Sequence, residues 1–151
     1  MIPQRPIHED LDRPPTVQET LKAVKQLSSG KAAGSDGLPA EIFKHGGDQV
    51  AMELTQLFIA IWDVEAVPQD FKDVVLVHLF KNKGNKYVYD NHRSISLLVI
   101  AGKIFGKIII NRLVTNVVNE VYPESQCGFR VCYGTVDMLF SARQVQEKCI
   151  E

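Results

Sequence analysis

Cysteine is scarce, with three residues among 151: Cys127, Cys132 and Cys149. An odd count without a secretory context argues against a disulfide framework and for reduced thiols in an intracellular protein. Long hydrophobic runs are missing too. No stretch of about 18 apolar residues occurs, which excludes a membrane-spanning helix. The opening Met1-Ile2-Pro3-Gln4-Arg5-Pro6 has no apolar core and is soon followed by acids, so it does not read as a signal peptide. There is no internal repeat and no low-complexity tract, which excludes a solenoid. Acid is scarce in one region: from Lys81 to Leu113, seven Lys/Arg stand against Asp90 alone. The overall charge of −1 therefore hides an asymmetry, with residues 1–73 at −5 and residues 74–151 at +4. Such a bias favours a polyanion on one side of the molecule, although a basic hairpin tip and an exposed helix face would produce the same count.

Groupings that carry metal or acid–base chemistry are also thin. Cys127 and Cys132 have four residues between them, but a zinc site needs two further ligands, and His78 and His92 are distant in sequence. Two-metal nucleotidyl transfer needs carboxylates that hold two cations about 4 Å apart. Asp36, Asp90 and Asp137 are scattered and read as turn or cap residues. Gly30-Lys31 resembles the end of a nucleotide-binding P-loop, but Lys25 stands where that pattern needs Gly, and Ala32 where it needs Ser or Thr. Three glycines between Gly30 and Gly37 still mean a sharp loop where the backbone turns or approaches something closely.

What remains is an ordinary globular composition, 45% apolar and 23% charged, long enough for one domain with a real core. Residues 1–15 read as an extended or disordered lead-in. Thr16-Val17-Gln18-Glu19 is a capping box, and Val17, Leu21, Val24 and Leu27 follow at helical spacing. A short helix is expected over Ala40–His45. A longer one capped by Asp48 follows, with Val50, Leu54, Leu57, Phe58, Ile61 and Trp62 on its apolar stripe. Val74–Phe80 is β-branched and reads as a buried strand. A second long helix is expected from about Ile100 to Val121, with Lys103 and Lys107 on one face and Arg112 nearby. A last helix begins at Thr135, with Met138, Leu139, Ala142 and Val145 inward.

Between the apolar strand and Ser94–Leu98 lies the basic stretch Lys81-Asn-Lys-Gly-Asn-Lys-Tyr-Val-Tyr-Asp-Asn-His-Arg93. A basic loop held between two strands suits phosphates. Gly128-Phe129-Arg130 offers a close backbone approach, an aromatic ring and a cation. These suit a nucleic-acid strand, or equally a helix-connecting turn with Phe129 in the core.

The order of these pieces carries a resemblance. Gly30-Lys-Ala-Ala-Gly-Ser-Asp-Gly-Leu-Pro-Ala-Glu41 is followed by Val67-Pro-Gln-Asp-Phe-Lys72, Lys81-Asn-Lys-Gly84 and Asp90-Asn-His-Arg-Ser-Ile-Ser-Leu-Leu98. Then come Gly102-Lys-Ile104, Asn111-Arg-Leu113, Ser125-Gln-Cys-Gly-Phe-Arg130 and Gly134-Thr-Val-Asp137. Together they resemble the front part of a reverse transcriptase from non-LTR retrotransposons, most similar to the RTE (BovB-like) clade, over residues 14 to 151. The resemblance implies an α+β, helix-rich fold: the fingers portion of a right-hand polymerase, with a small antiparallel strand pair around the 81–93 loop. Residues 16–151 would form a partial reverse transcriptase domain that stops before the catalytic aspartates. Lys81, Lys83 and Arg93 would lie near the phosphates of a dNTP, and Gln126, Gly128, Phe129 and Arg130 near the template. The implied partners are an RNA or DNA primer–template and the missing palm and thumb regions. Mg2+ is implied for the full-length enzyme, with none held by this stretch. The alternatives are an inactive nucleic-acid-binding remnant and a helical protein-interaction module. The sequence departs from the family at Ala33, where Pro is usual, at Ser94, where Gly or Pro is usual, and across Val131-Cys132-Tyr133, commonly basic or polar.

Overall fold

The computed structural model describes residues 9–118, 126, 128 and 133–150. The chain divides into two units, residues 1–112 and 113–151.

The first unit opens with a 3-10 turn, Glu9–Asp12. Helix α1, Val17–Lys25, starts at the capping box. Thr16 Oγ1 accepts from the Glu19 N–H at 3.3 Å, and the Glu19 carboxylate accepts from the Thr16 N–H at 2.9 Å. Pro39 precedes the short α2, Ala40–His45. Helix α3, Gly47–Val64, begins one residue before the expected cap, so Asp48 lies in its first turn, where a carboxylate complements the helix dipole. After the one-turn α4, Gln69–Lys72, come strand β1, Val74–Phe80, strand β2, His92–Leu98, and helix α5, Ile100–Leu113.

The core lies where α1, α2, α3 and α5 meet. Val24, Phe43, Leu54, Phe58, Ile61, Ile104, Phe105 and Ile108 are buried in one cluster. The Phe58 and Phe105 rings meet at 5.2 Å in a tilted pair. Two buried hydroxyls fasten α1 to α3: Thr20 Oγ1 donates to Thr16 O, and Thr55 Oγ1 lies 2.8 Å from Thr20 Oγ1. The glycine-rich loop contributes a close approach. A Cβ on Gly34 would stand 2.6 Å from the backbone of Val99, the residue joining β2 to α5. Gly30 and Gly37, each at φ +68°, make the turns that bring it there.

Strands β1 and β2 form an antiparallel pair in which Val74 faces Leu98 and Phe80 faces His92. The strand pair is present as expected, but β1 is not a buried strand. Val75, Leu76 and Leu79 are 42–56% exposed, because the described residues cover neither face of this two-stranded sheet. A β-branched run reports strand propensity; burial depends on what packs above it.

In the second unit, the chain after α5 continues as a π turn, Val114–Val118. The expected continuation to Val121 falls partly outside the described residues. Helix α6 spans Thr135–Ile150, and the Asp137 carboxylate accepts from the Gly134 N–H at 2.7 Å at its start. Met138, Leu139 and Val145, expected inward, are exposed. No described helix is long and apolar enough to cross a membrane.

Candidate nucleic-acid interface

The hairpin joining β1 to β2 carries the basic stretch, and its shape comes from asparagines. The Lys81 N–H bonds Asn91 O at 2.8 Å, extending the ladder one pair beyond the strands. Asn82, at φ 54°, and Gly84, at φ +76°, then turn the chain through left-handed conformations that Asn and Gly tolerate best. Asn85 organises the tip. Its Oδ1 accepts from the Tyr87 N–H at 2.9 Å, and its carbonyl accepts from Asn91 Nδ2 at 2.7 Å and from the Val88 N–H at 3.2 Å. His92 Nε2 lies 2.7 Å from Lys86 O, so that nitrogen carries the proton and donates. Nδ1 is then left buried with no partner among the described residues. The Phe80 ring stands 5.4 Å from the His92 ring at the neck of the loop. An internally bonded loop of this kind presents its side chains from a fixed frame.

The cations divide into two groups. The Lys81 ammonium donates to Asp90 O at 2.7 Å and so braces the loop. Lys83, Lys86 and Arg93 are exposed. Arg93 pairs with Leu79 across the sheet, and the Lys81–Asn91 pair lies two steps along the ladder, beyond Phe80–His92. Strand alternation therefore puts Lys81 and Arg93 on the same face as diagonal neighbours. Lys103 and Lys107, on α5, are half-buried.

Arg112 does not join this basic surface. Its guanidinium makes a two-pronged bond to Glu19, at 2.6 Å from Nε and 2.7 Å from Nη2. It also donates to Arg13 O and Pro14 O, and it lies 5.5 Å from the centre of the Trp62 ring. The side-chain hydrogen bonds from Arg112 hold the Glu19 carboxyl well below its usual range, at about 2. Spacing on a helix had placed Arg112 near Lys103 and Lys107; the acid 93 residues away that claims it has no signature in local sequence.

Of the residues the resemblance assigns to the template, Gln126 and Gly128 are exposed, and Gln126 Nε2 donates to Gly128 O at 3.4 Å. Phe129 and Arg130 lie outside the described residues. Sequence reasoning gave no role to Tyr87 and Tyr89, which are 93% and 91% exposed at the hairpin tip. The available signal was two aromatic residues inside a polar, lysine-bearing turn.

A cleft of about 640 Å3 in the first unit, lined by Asp12, Ile61, Trp62, Asp63, Glu65 and Phe105, has the wrong charge for a polyanion. No group of three or more His, Cys, Asp or Glu among the described residues could hold a metal ion.

Comparison with known proteins gives these features a class. No family model matches the chain. Its homologues are RNA-directed DNA polymerases of non-LTR retrotransposons. It is 31% identical over 125 residues, 82% of its length, to the RNA-directed DNA polymerase from mobile element jockey of Drosophila melanogaster. Identity is 30% over 127 residues, 83% of the chain, to the jockey polymerase of Drosophila funebris. It is 27% over 129 residues, 84% of the chain, to the probable RNA-directed DNA polymerase from transposon BS of D. melanogaster. The chain spans 14% of the length of each of these relatives.

Proposed function

We propose that the chain is a fingers segment of a retrotransposon reverse transcriptase, of the RTE-like clade by its motif order. It contributes contacts to nucleic-acid and dNTP phosphates but does not catalyse polymerisation alone. The observation that carries this reading is the similarity to mobile-element polymerases along four-fifths of the chain, 82% in the jockey alignment. The basic hairpin supports it. Lys83 and Arg93 are exposed and able to give charge-assisted hydrogen bonds to phosphate oxygens, while Lys81 braces the loop beside them. Gln126, Gly128, Phe129 and Arg130 are the proposed template contacts. The palm of the longer polymerase would supply the carboxylates for Mg2+.

The test is a fluorescence-anisotropy titration of purified 1–151 with a labelled primer–template, alongside an extension assay with Mg2+ and dNTPs. Binding without extension is expected, and Lys83→Ala with Arg93→Ala should weaken binding about tenfold or more, at roughly 1 kcal/mol per exposed charged contact. Extension by the isolated chain, or binding indifferent to both substitutions, would overturn the proposal.

A further inference from the structure

Tyr87 and Tyr89 are the most exposed of the large apolar and aromatic side chains described, at 93% and 91%. A tyrosine ring ordinarily buries much of its area, and leaving two in water at one loop tip forgoes that stabilisation twice. Neither ring is there to shape the loop, because that work is done by the main chain and the asparagines. The Tyr87 N–H is held by Asn85 Oδ1, and Tyr89 begins the 3-10 turn Tyr89–Asn91, closed by the Asn91 N–H to Val88 O bond at 3.1 Å. The two backbones are thus fixed while the side chains stand almost wholly in solvent. Two residues of chain span at most about 7 Å, close enough for neighbouring bases of one strand. Lys83 and Lys86 lie just before the pair in the chain, with Asp90 the single acid of the loop.

We propose that Tyr87 and Tyr89 form a stacking platform for bases of a single nucleic-acid strand, with Lys83 and Lys86 holding the adjacent phosphates. Every base offers a π face, so the platform is tolerant of sequence; the cations supply the backbone attraction, and the prebonded loop lowers the entropy lost on binding. The proposal rests on the nucleic-acid reading above and deepens it by naming the strand state and the contact type.

The experiment compares the full 1–151 chain with Tyr87→Ala, Tyr89→Ala, the double alanine variant and the double phenylalanine variant. The probes are a labelled 12-mer of deoxythymidine, the same length of uridine, and an abasic 12-mer that keeps the phosphates. The wild type should bind both base-bearing strands at least about fivefold more tightly than the abasic strand. Each alanine should weaken binding to them roughly 5- to 150-fold, the range for loss of one stacked base. Phenylalanine should retain the affinity. In the double alanine variant the preference for bases should vanish while the dependence on salt persists, because the phosphate contacts are untouched. Thermal midpoints should not move, since the rings pack on nothing described. A wild type that binds base-bearing and abasic strands equally, or alanine variants that bind like wild type, would overturn the platform and leave the nucleic-acid reading standing. A wild type that binds none of the three strands at low salt would overturn both.

Discussion

At the scale of single residues, Arg112 shows how one side chain ties distant sequence together. Its bonds reach Glu19 on α1 and the carbonyls of Arg13 and Pro14, and its cationic plane lies by Trp62 of α3. Lysine cannot reproduce this, having no planar fork to match a carboxylate. The Glu19 carboxyl, held at about 2 instead of 4.5, makes the pair a source of acid sensitivity. A folded-state value below the unfolded one contributes stability that is fully present above about pH 4.5 and is lost as pH falls toward about 2. Glu19 keeps 31% of its side chain exposed, so solvent screening trims the contribution to about 2 kcal/mol. Urea unfolding of Arg112→Lys should show a loss of about that size at pH 7. The fall in wild-type stability between about pH 4.5 and pH 2 should be correspondingly shallower in the variant. An equally steep acid limb in both proteins would show that another carboxylate sets it.

At the scale of elements, the hairpin depends on its attachment. A two-stranded sheet is marginal in water. This one leaves β1 exposed on both faces, so its placement depends on the loop network at one end and on Val99 at the other. Gly34 lies against that anchor, with no room for a Cβ between it and the Val99 backbone. Gly34→Ala should therefore shift Val99 or the glycine loop and cost about 2 kcal/mol or more, read from urea midpoints, with faster amide exchange through β2 than in α3. A midpoint within about 0.5 kcal/mol of wild type would show that the loop yields freely. The elements themselves were legible in sequence. The capping box at Thr16, the short helix after Pro39 and the apolar stripe of α3 are local signals, and the hairpin follows from two apolar runs around a polar turn. Other features were set by tertiary context. The exposure of β1, the use of Arg112 as a clamp and the bracing role of Lys81 depend on contacts across the chain. No periodicity encodes them. The glycine loop was legible as a sharp turn or a close approach; the identity of its neighbour was not.

At the scale of the whole chain, the charge asymmetry of the sequence is partly internal. Arg112 is paired with Glu19, and Lys81, though exposed, donates to a carbonyl within the loop; Lys83, Lys86 and Arg93 are the other exposed cations of the hairpin. Phosphate contacts displace condensed counterions, so the number engaged can be read from the salt dependence of binding. Three contacts to a single strand give a slope of roughly −2 for log K against log salt, or about a 20-fold weakening between roughly 50 and 200 mM. Replacing all three with alanine should flatten the slope almost to zero, whereas Lys81→Ala should leave the slope near −2 and lower affinity through a looser loop. Anisotropy titrations of single-stranded 12-mers at four salt concentrations separate these cases. A wild-type slope of roughly −3.5 would mean that α5, through Lys103 and Lys107, also takes part, and that the binding surface extends beyond the hairpin. A slope near zero in the wild type would remove the polyanion reading altogether, because no arrangement of lysines and arginines grips phosphate without releasing counterions.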